Sequence, residues 1–451
     1  MSRLIIVSNR VMAPSAAACP GGLASGLLDA LHQVGGIWFG WNGKVDESTA
    51  ALERQQAGNI TFVTTSFTPR QYQQYYCRFA NGVLWPSFHY RTDLAHYDRQ
   101  DYEGYRRVNE MLALKLKPLL QDDDVLWVQD YYLIPFATAC RQLGVHNRIG
   151  FFLHIPFPCV EVARTIPMHQ ALFGCLADYD LVGFQTAGDQ QAFLDHARRF
   201  GSPGATPTTG VYPIGIQPQA FTKMAEAHVA ERSLLNSADR HHGRQAILGI
   251  DRLDYSKGLH ERFQAYEQLL DRYPKHHRRV QFIQIAPITR QDIDYYRHIH
   301  ERLNTLTGRI NGRFGDLDWL PLRYINQDYT RDSLAGLMRQ ARVGFVTPLR
   351  DGMNLVAKEY VAAQSEQDPG VLILSSFAGA AHELSAALIV NPYDRSDVSA
   401  ALNRALTMSL EERQERHRAM LVALNRTTID RWHSRFLSDL NVAHLAHANM
   451  H

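Results

Sequence analysis

Two carboxylates and a predicted helix start lie close together in residues 350–360. Asp351 precedes the helix, which begins after Asn354, and Glu359 lies about one turn inside it. The N–H groups at a helix N-terminus attract anions, whereas carboxylates accept hydrogen bonds from hydroxyl groups. The stretch therefore predicts a ligand that carries both phosphate and hydroxyl groups. A well-capped helix with a solvated glutamate explains the same spacing equally well.

A second turn carries two cations. The apolar run at residues 245–251 predicts a strand, and it leads into a turn that holds Arg252, Lys257 and Gly258. Arginine offers a planar fork of N–H donors and lysine a compact charge. Together they predict a grip on a diphosphate group. Two ordinary surface cations are the alternative.

Polar groups also end three predicted strands in the first half of the chain. Arg10, Asp130 and His154 each follow a short apolar run, the pattern of a strand buried on both faces. Ligands of parallel α/β sheets bind outside the carboxyl ends of the strands. Each residue alone fits a structural role, but the set predicts a binding site. Gly21 and Gly22 open a helix, which fits a phosphate-binding loop or an ordinary tight turn.

Short apolar runs alternate with helical segments through both halves of the chain. This alternation predicts two doubly wound, Rossmann-like α/β domains with ligands in the cleft between them. The polar stretch at residues 217–244 indicates the boundary. The predicted domains are residues 1–230, for the acceptor, and 231–425, for a nucleotide-sugar donor. A C-terminal helix at 426–451 is expected to pack back on the first domain.

The absence of some sequence patterns narrows the function. The chain has no G-x-G-x-x-G fingerprint, P-loop or G-x-S-x-G elbow, which argues against a dehydrogenase, a P-loop nucleotidase and an α/β-hydrolase. A formal net charge of +2 over 451 residues gives no reason to expect nucleic acid or a membrane as partner. The five cysteines form no C-x-x-C pair, and no apolar run reaches membrane-spanning length. We therefore expect a reduced, cytoplasmic protein.

Six motifs, in order along the chain, resemble glycosyltransferase family 20, the trehalose-6-phosphate synthases. They are Ser-Asn-Arg10, Pro-Gly-Gly22-Leu, Val-Leu-Trp85-Pro, Phe-Phe-Leu-His154-Ile-Pro-Phe-Pro, Asp251-Arg-Leu-Asp-Tyr-Ser-Lys-Gly-Leu and Pro-Leu-Arg-Asp-Gly-Met-Asn-Leu-Val-Ala-Lys-Glu-Tyr. The resemblance implies the GT-B fold, with the active site in the cleft between its two domains. It also implies retaining transfer of glucose from UDP-glucose to glucose 6-phosphate, which gives α,α-trehalose 6-phosphate, the first step of trehalose biosynthesis.

The resemblance also implies roles for individual residues. Acceptor binding is expected from Arg10, Tyr76, Trp85, Asp130 and Arg290. Donor binding is expected from Gly21, Gly22, Arg252, Lys257, Tyr329, Asp351, Leu355, Val356, Ala357, Lys358 and Glu359. The catalytic group is expected to be His154, Arg252, Lys257 and Asp351, with Trp85 and Ile155 selecting the anomer. Because Arg252 and Lys257 would neutralise the leaving diphosphate, no metal or other cofactor is expected.

The family resemblance extends to partners, and the motif around Asp130 departs from the family pattern at two positions. It implies a homo-oligomer, either a dimer or a tetramer, and a trehalose-6-phosphate phosphatase that acts downstream as a separate chain. The family commonly has His-Asp-Tyr-His where this chain has Gln129-Asp130-Tyr131-Tyr132, which changes the polarity around Asp130. The alternatives are a GT-B transferase for another phosphorylated sugar acceptor and a non-catalytic sugar-phosphate sensor.

Overall fold

Two sheets organise this computed structural model, which describes residues 2–11, 22–47, 51–202, 206–230, 233–234, 243–289 and 294–448. The first sheet contains β1 (Leu4–Arg10), β2 (Gly36–Val45), β3 (Glu53–Ala57), β4 (Ile60–Phe67), β5 (Val125–Gln129), β6 (Arg148–Phe152), β7 (Leu181–Phe184) and β8 (Thr208–Val211). The second contains β9 (Gln245–Ile250), β10 (Val280–Ile285), β11 (Leu322–Ile325), β12 (Val343–Val346), β13 (Val371–Ser375) and β14 (Leu388–Val390).

Helices connect these strands. In the first half they are α1 (Gly22–Val34), α2 (Pro69–Gln71), α3 (Trp85–Phe88), α4 (Arg99–Leu116), α5 (Phe136–Gln142), α6 (Val160–Ala163), α7 (His169–Gly174), α8 (Ala187–Phe200) and α9 (Pro218–His228). In the second half they are α10 (Leu259–Arg272), α11 (Asp294–Phe314), α12 (Arg331–Gln340), α13 (Leu355–Ala363), α14 (Arg395–Thr407), α15 (Leu410–Arg426) and α16 (Ile429–Ala448). Within the described ranges, none of these helices has both the length and the apolar character that crossing a bilayer requires.

The first sheet has the order β3-β4-β2-β1-β5-β6-β7-β8, and only the β3–β4 pair is antiparallel. Its central strand β1 is a continuous apolar run because both faces of the sheet are covered, and Ile5 and Ile6 are fully buried. The strand order reverses between β1 and β5. Such a switch point leaves a crevice at the carboxyl ends of the strands. Arg10 and Asp130 lie at those two ends.

The second sheet is wholly parallel, in the order β11-β10-β9-β12-β13-β14. This is the strand order of a dinucleotide-binding fold, and its switch point lies between β9 and β12. One face packs against Phe263 of α10 and Leu402 of α14. On α13, Tyr360 fills the space that Gly344 of β12 leaves open. The predicted doubly wound α/β class is confirmed.

Tertiary contacts divide the chain into two compact units, Met1–Ile214 with Asp430–His451, and Gly215–Ile429. The sequence composition instead predicted domain boundaries after residues 230 and 425. The difference arises because helix α9 is polar in sequence but packs within the second unit. The backbone carbonyl of His228 lies only 2.3 Å from the position that a Cβ on Gly336 of α12 would occupy.

The aromatic stretch that follows β4 forms a helix that its composition does not suggest. Residues Tyr72–Leu84 make a π-helix, and α3 continues it directly. Tyr75, Phe79 and Leu84 are fully buried, so this segment contributes to the core. Wide π turns are uncommon and occur often at functional sites.

The C-terminal helix α16 packs on the first sheet through aromatic side chains. The ring centroids of Trp432 and Phe436 lie 4.8 and 5.1 Å from that of Trp127 on β5. The sheet accommodates them because Gly150 and Gly183 lack side chains there. A Cβ on Gly150 would lie 2.8 Å from the Phe436 ring.

We predict that Phe436→Ala lowers the free energy of unfolding by about 3–5 kcal/mol, the usual cost of emptying a buried aromatic site. The measurement is urea unfolding of the full chain. Val442→Ala on the same helix is the matched control, because Val442 is 66% exposed. The control should stay within about 0.5 kcal/mol of the native chain. Equal effects of the two variants would contradict the packing role of Phe436.

Candidate active site

A buried arginine holds the turn after β9 in place. The Arg262 guanidinium donates to the Asp251 carboxylate, to Gln284 Oε1 at 2.9 Å and to Thr347 Oγ1 at 3.0 Å. It also donates to the backbone carbonyl of Lys257 at 3.3 Å. Burial raises the pKa of Asp251, and Arg262 and Lys257 oppose that shift by favouring the carboxylate. The ends of β9, β10 and β12 are thereby joined to the backbone that carries Lys257.

Lys257 and Asp351, predicted from separate motifs, form an ion pair. The Lys257 ammonium donates to Asp351 Oδ2 at 2.5 Å, and the Asn354 amide donates to the same oxygen at 3.0 Å. Asn354 also caps α13, because its Oδ1 accepts from the Ala357 N–H at 3.1 Å. This cap has a left-handed backbone with φ of 77°, which asparagine tolerates better than most residues. The pair and the N-terminus of α13 form one polar surface.

Glu359 lies inside α13 against an arginine that the sequence did not indicate. Arg331, the first residue of α12, donates from Nε and Nη2 to Glu359 Oε1 at 3.2 and 3.0 Å. The guanidinium carbon lies 5.2 Å from the Phe221 ring centroid, in a cation–π contact. Burial raises the pKa of Glu359, and Arg331 opposes the shift.

The side chain of Lys358 points away from this polar surface. It is fully buried and donates to Glu383 Oε1 at 2.6 Å, and Thr427 Oγ1 donates to the other oxygen of Glu383. Burial lowers the pKa of Lys358, while Glu383 raises it. Any contact between Lys358 and the nucleotide-sugar donor must therefore come from the backbone of Lys358. The same holds for Ala357, which is buried.

The remaining donor-side residues lie around the carboxyl edge of the second sheet. Arg252 is exposed directly after β9. Leu355 and Val356 begin α13, where their N–H groups belong to the first turn. Tyr329 borders a cavity of about 300 Å³ with apolar side chains from the sheet and from α12, namely Ile283, Ile285, Ile325 and Leu337.

In the first unit, Arg10 stands at the edge of an aromatic stack. Its guanidinium carbon lies 5.9 Å from the Trp41 ring centroid, and Trp41 lies 5.6 Å from Tyr76. Tyr76 is sandwiched, since Tyr72 stacks on it at 5.3 Å and Tyr132 at 5.7 Å, with interplanar angles of 14° and 7°. Tyr132, one departure from the family motif, therefore extends this stack.

Asn81 fixes the position of the tyrosines. Its Oδ1 accepts from the hydroxyls of Tyr131 and Tyr132 at 2.9 and 3.0 Å, and its Nδ2 donates to the Tyr76 carbonyl at 2.9 Å. Trp85 begins α3 with its ring centroid 5.8 Å from that of Tyr131. The π-helix therefore brings the predicted acceptor residues Tyr76 and Trp85 to the same set of aromatic side chains.

Asp130 has a strained backbone at the end of β5. Its φ of 73° and ψ of 168° fall in a region that is essentially restricted to glycine. Two hydrogen bonds hold it there. Its N–H donates to the Phe152 carbonyl at 2.8 Å, and its Oδ1 accepts from the His154 N–H at 3.1 Å. The carboxylate is thus oriented by the neighbouring strand.

Gln129, the other departure from the family motif, contacts the imidazole of His154. The Gln129 amide donates to the Trp127 carbonyl at 3.4 Å, which turns its Oε1 toward His154 Nε2 at 2.9 Å. His154 Nε2 must then carry the proton, and Nδ1 is left as an acceptor. Burial lowers the pKa of His154 to about 3, so the ring is neutral at physiological pH.

Four other residues were predicted for the site, and two of them lie within the described ranges. Gly22 is the first residue of α1, and Ile155 is buried beside His154. Gly21 and Arg290 lie outside the described residues. Within the described ranges, no three or more His, Cys, Asp or Glu side chains form a group that could hold a metal ion.

Sequence reasoning missed Trp41, Asn81, Arg262 and Arg331. One of them left a recognisable signal, since Arg262 interrupts the apolar face of its helix next to Phe263. A charged residue at a core position requires a buried partner. The others act through contacts with distant parts of the chain, and their sequence neighbourhoods indicate nothing.

Comparisons with known proteins agree over nearly the whole chain. The family model of glycosyltransferase family 20 matches residues 12–442. The trehalose-6-phosphate synthase of Sodalis glossinidius (strain morsitans) is 51% identical over 452 aligned residues, which cover 98% of this chain and 96% of that relative.

Solved structures show the same similarity. An α,α-trehalose-phosphate synthase (UDP-forming) from Burkholderia xenovorans, in complex with glucose-6-phosphate, has a TM-score of 0.93 and 50% identity, covering 97% of this chain and 100% of that one. The E. coli structure named "Trehalose-6-phosphate", bound with UDP-2-fluoro glucose, has a TM-score of 0.92 and is 49% identical to this chain. The match covers 97% of this chain and 99% of the E. coli chain.

We predict that Gln129→Glu raises the pKa of His154 by about 1–3 units, because a carboxylate beside Nε2 favours the imidazolium. NMR of histidine-labelled chain measures this, with His154→Asn used to assign the resonance. In the native chain the ring should not titrate between about pH 5 and about pH 9. Gln142→Glu, at an exposed position, is the control. An unshifted pKa in Gln129→Glu would show that Gln129 does not bind the ring.

Proposed function

The chain belongs to glycosyltransferase family 20 and has the GT-B fold, and on this basis we propose its reaction. It transfers glucose from UDP-glucose to glucose 6-phosphate with retention at the anomeric carbon, giving α,α-trehalose 6-phosphate and UDP. The observation that carries the proposal is the Lys257–Asp351 ion pair at the start of α13. It puts a phosphate-binding cation and a hydroxyl acceptor side by side.

The donor half of the reaction is assigned to the second unit. The diphosphate binds Lys257, Arg252 and the N–H groups of Leu355 and Val356, which together stabilise the leaving group. Asp351 accepts from a hydroxyl of the transferred glucose. The cavity beside Tyr329 takes the base, because apolar side chains line it together with Ser233 and Arg323. The related E. coli structure, bound with UDP-2-fluoro glucose, supports a UDP-sugar as the donor.

The acceptor half is assigned to the first unit. Arg10 binds the phosphate of glucose 6-phosphate, and the aromatic stack at Tyr76 supports the sugar ring. The hydrogen bond from the His154 N–H orients the Asp130 carboxylate. Asp130 then accepts a hydrogen bond from a hydroxyl group of glucose 6-phosphate. The related B. xenovorans structure in complex with glucose-6-phosphate supports this sugar phosphate as the acceptor.

The transfer proceeds by attack on the front face of the donor sugar. The bond from the anomeric carbon to the diphosphate oxygen breaks as the bond to the acceptor oxygen forms. The acceptor proton passes to the departing phosphate oxygen. Asp351 is held by Lys257 and Asn354 as a hydrogen-bond acceptor rather than a nucleophile. Trapping a glycosyl ester on Asp351 or Asp130 would refute this pathway.

Three broader points are also proposed. The cations at the diphosphate replace a metal ion, so EDTA leaves the rate unchanged. The chain works in the cytoplasm as a homo-oligomer. The phosphatase that removes the phosphate of the product is a separate chain. The family resemblance supports the last two points.

The reaction is tested by UDP release. Glucose 6-phosphate is compared with fructose 6-phosphate and glucose as acceptors, and UDP-glucose with ADP-glucose and GDP-glucose as donors. Turnover that requires UDP-glucose and glucose 6-phosphate supports the proposal. Preference for another acceptor indicates a different transferase, and calorimetric binding without turnover indicates a sensor.

We predict that Lys257→Ala lowers kcat by roughly 10²–10³-fold, because it removes a charge that stabilises the leaving diphosphate. The assay is steady-state UDP release at saturating donor and acceptor. Lys223→Ala, an exposed lysine of the same unit, should leave kcat unchanged. A loss of less than twofold in Lys257→Ala would make Lys257 a surface cation.

For the acceptor, Arg10→Ala should raise the KM for glucose 6-phosphate by roughly 10–100-fold, the effect of losing a charge-assisted hydrogen bond. The kcat should change much less, because phosphate binding persists from ground state to transition state. Arg99→Ala is the control, since Arg99 is an exposed arginine of the same unit. An unchanged KM would remove Arg10 from the acceptor site.

A further inference from the structure

Arg331 lies beside the proposed donor site, where it contacts Glu359. We propose that Arg331 is a positioning residue that keeps Glu359 oriented to accept hydrogen bonds from the ribose hydroxyls of the donor. This inference rests on the proposed function, because it assumes that the second unit binds a uridine diphosphate sugar. Arg331 is then the second arginine on which donor binding depends. Arg252 acts on the diphosphate, whereas Arg331 acts on the ribose through Glu359.

The hydrogen bonds of Arg331 hold the Glu359 carboxylate by one of its oxygens. Arg331 Nε and Nη2 both donate to Oε1 of Glu359, at 3.2 and 3.0 Å. The arginine therefore leaves Oε2 as the oxygen that can accept from hydroxyl groups of a ligand. Because both bonds are charge-assisted, moving Oε1 away from Arg331 costs two strong hydrogen bonds.

Arg331 is itself held in place by its neighbours. Its guanidinium lies over Phe221, which is only 2% exposed. Its backbone is the first turn of α12, which Thr330 caps through a hydrogen bond to the Ser333 N–H. Because α12 and Phe221 fix the position of Arg331, Arg331 keeps the Glu359 side chain in one rotamer before any ligand binds.

Arg331 also affects the charge of Glu359. Glu359 is 8% exposed, and its burial favours the neutral acid. A neutral acid would hold a proton on one oxygen and accept hydrogen bonds more weakly. The positive charge of Arg331 favours the carboxylate, which forms stronger, charge-assisted hydrogen bonds with hydroxyl donors.

The test is calorimetric binding of UDP, 2′-deoxy-UDP and 3′-deoxy-UDP to the full chain. The native chain should bind UDP roughly 10–100-fold more tightly than at least one deoxy analogue, as expected for a hydrogen bond to a charged group. In Arg331→Met the ratio of the two affinities should fall to about threefold or less, because the affinity for UDP falls while the affinity for the deoxy analogue changes little. Glu359→Gln should reduce the ratio in the same way.

Arg339→Met is the matched control. Arg339 lies on the same helix and pairs with Glu226 and the Ala363 carbonyl. Its loss removes a comparable ion pair without touching Glu359, so the ratio should remain native. Arg331→Lys keeps the charge but loses the fork, and an intermediate ratio is expected. This variant decides the question if Arg331→Met does not fold.

Other outcomes overturn the inference. A native ratio in Arg331→Met, or in Arg331→Lys where the methionine variant is unfolded, would leave Arg331 a purely structural residue. Equal weakening of UDP and both analogues would mean the same. If the native chain binds UDP without distinguishing the deoxy analogues, the inference fails while the proposed function stands. If the native chain does not bind UDP at all, the proposed function itself fails.

Discussion

The second unit depends on one buried guanidinium, that of Arg262. A charge inside a protein is costly unless it is paired and fully hydrogen-bonded, and Arg262 meets this requirement with acceptors from three strand ends and from the turn at Lys257. The turn can approach so closely only because Gly258 has φ of 65°, and a Cβ there would lie 2.6 Å from the Thr347 carbonyl. The position of Lys257 is therefore set by the core of the sheet rather than by its own contacts.

The first unit holds its predicted site residues in place by backbone strain and aromatic stacking. Asp130 holds a backbone conformation that costs of order 1–3 kcal/mol, and the bonds to Phe152 and His154 maintain it. Strain of this size persists only where the surroundings fix the residue. On the adjacent side, aromatic rings rather than charges orient Tyr76. One unit thus uses a buried ion pair for precision, and the other uses strain and stacking.

The sequence predicted the elements and the strand ends well, because both follow from local patterns. Continuous apolar runs identify parallel strands, and the residues after them identify the carboxyl edge of each sheet, where Arg10 and Asp130 lie in the first unit and Lys257 in the second. Pairings such as Arg331 with Glu359 could not be predicted, because they join helices that are adjacent only in the folded chain. The π-helix was missed as well, since its aromatic composition indicates burial but not the wide turn. Gln129 was recognised as a departure, although its contact with His154 required the tertiary structure.

The Lys257–Asp351 pair also bears on which anions the proposed donor site binds. Because the two charges are in contact at 2.5 Å, the pair itself carries no net charge. A simple anion that captured the lysine would leave Asp351 deprived of its partner and facing a new negative charge. Under the proposed function, a nucleotide sugar would satisfy both groups at once, because its diphosphate binds the lysine and its sugar hydroxyl donates to the aspartate. In that proposal the ion pair favours the complete donor over inorganic phosphate.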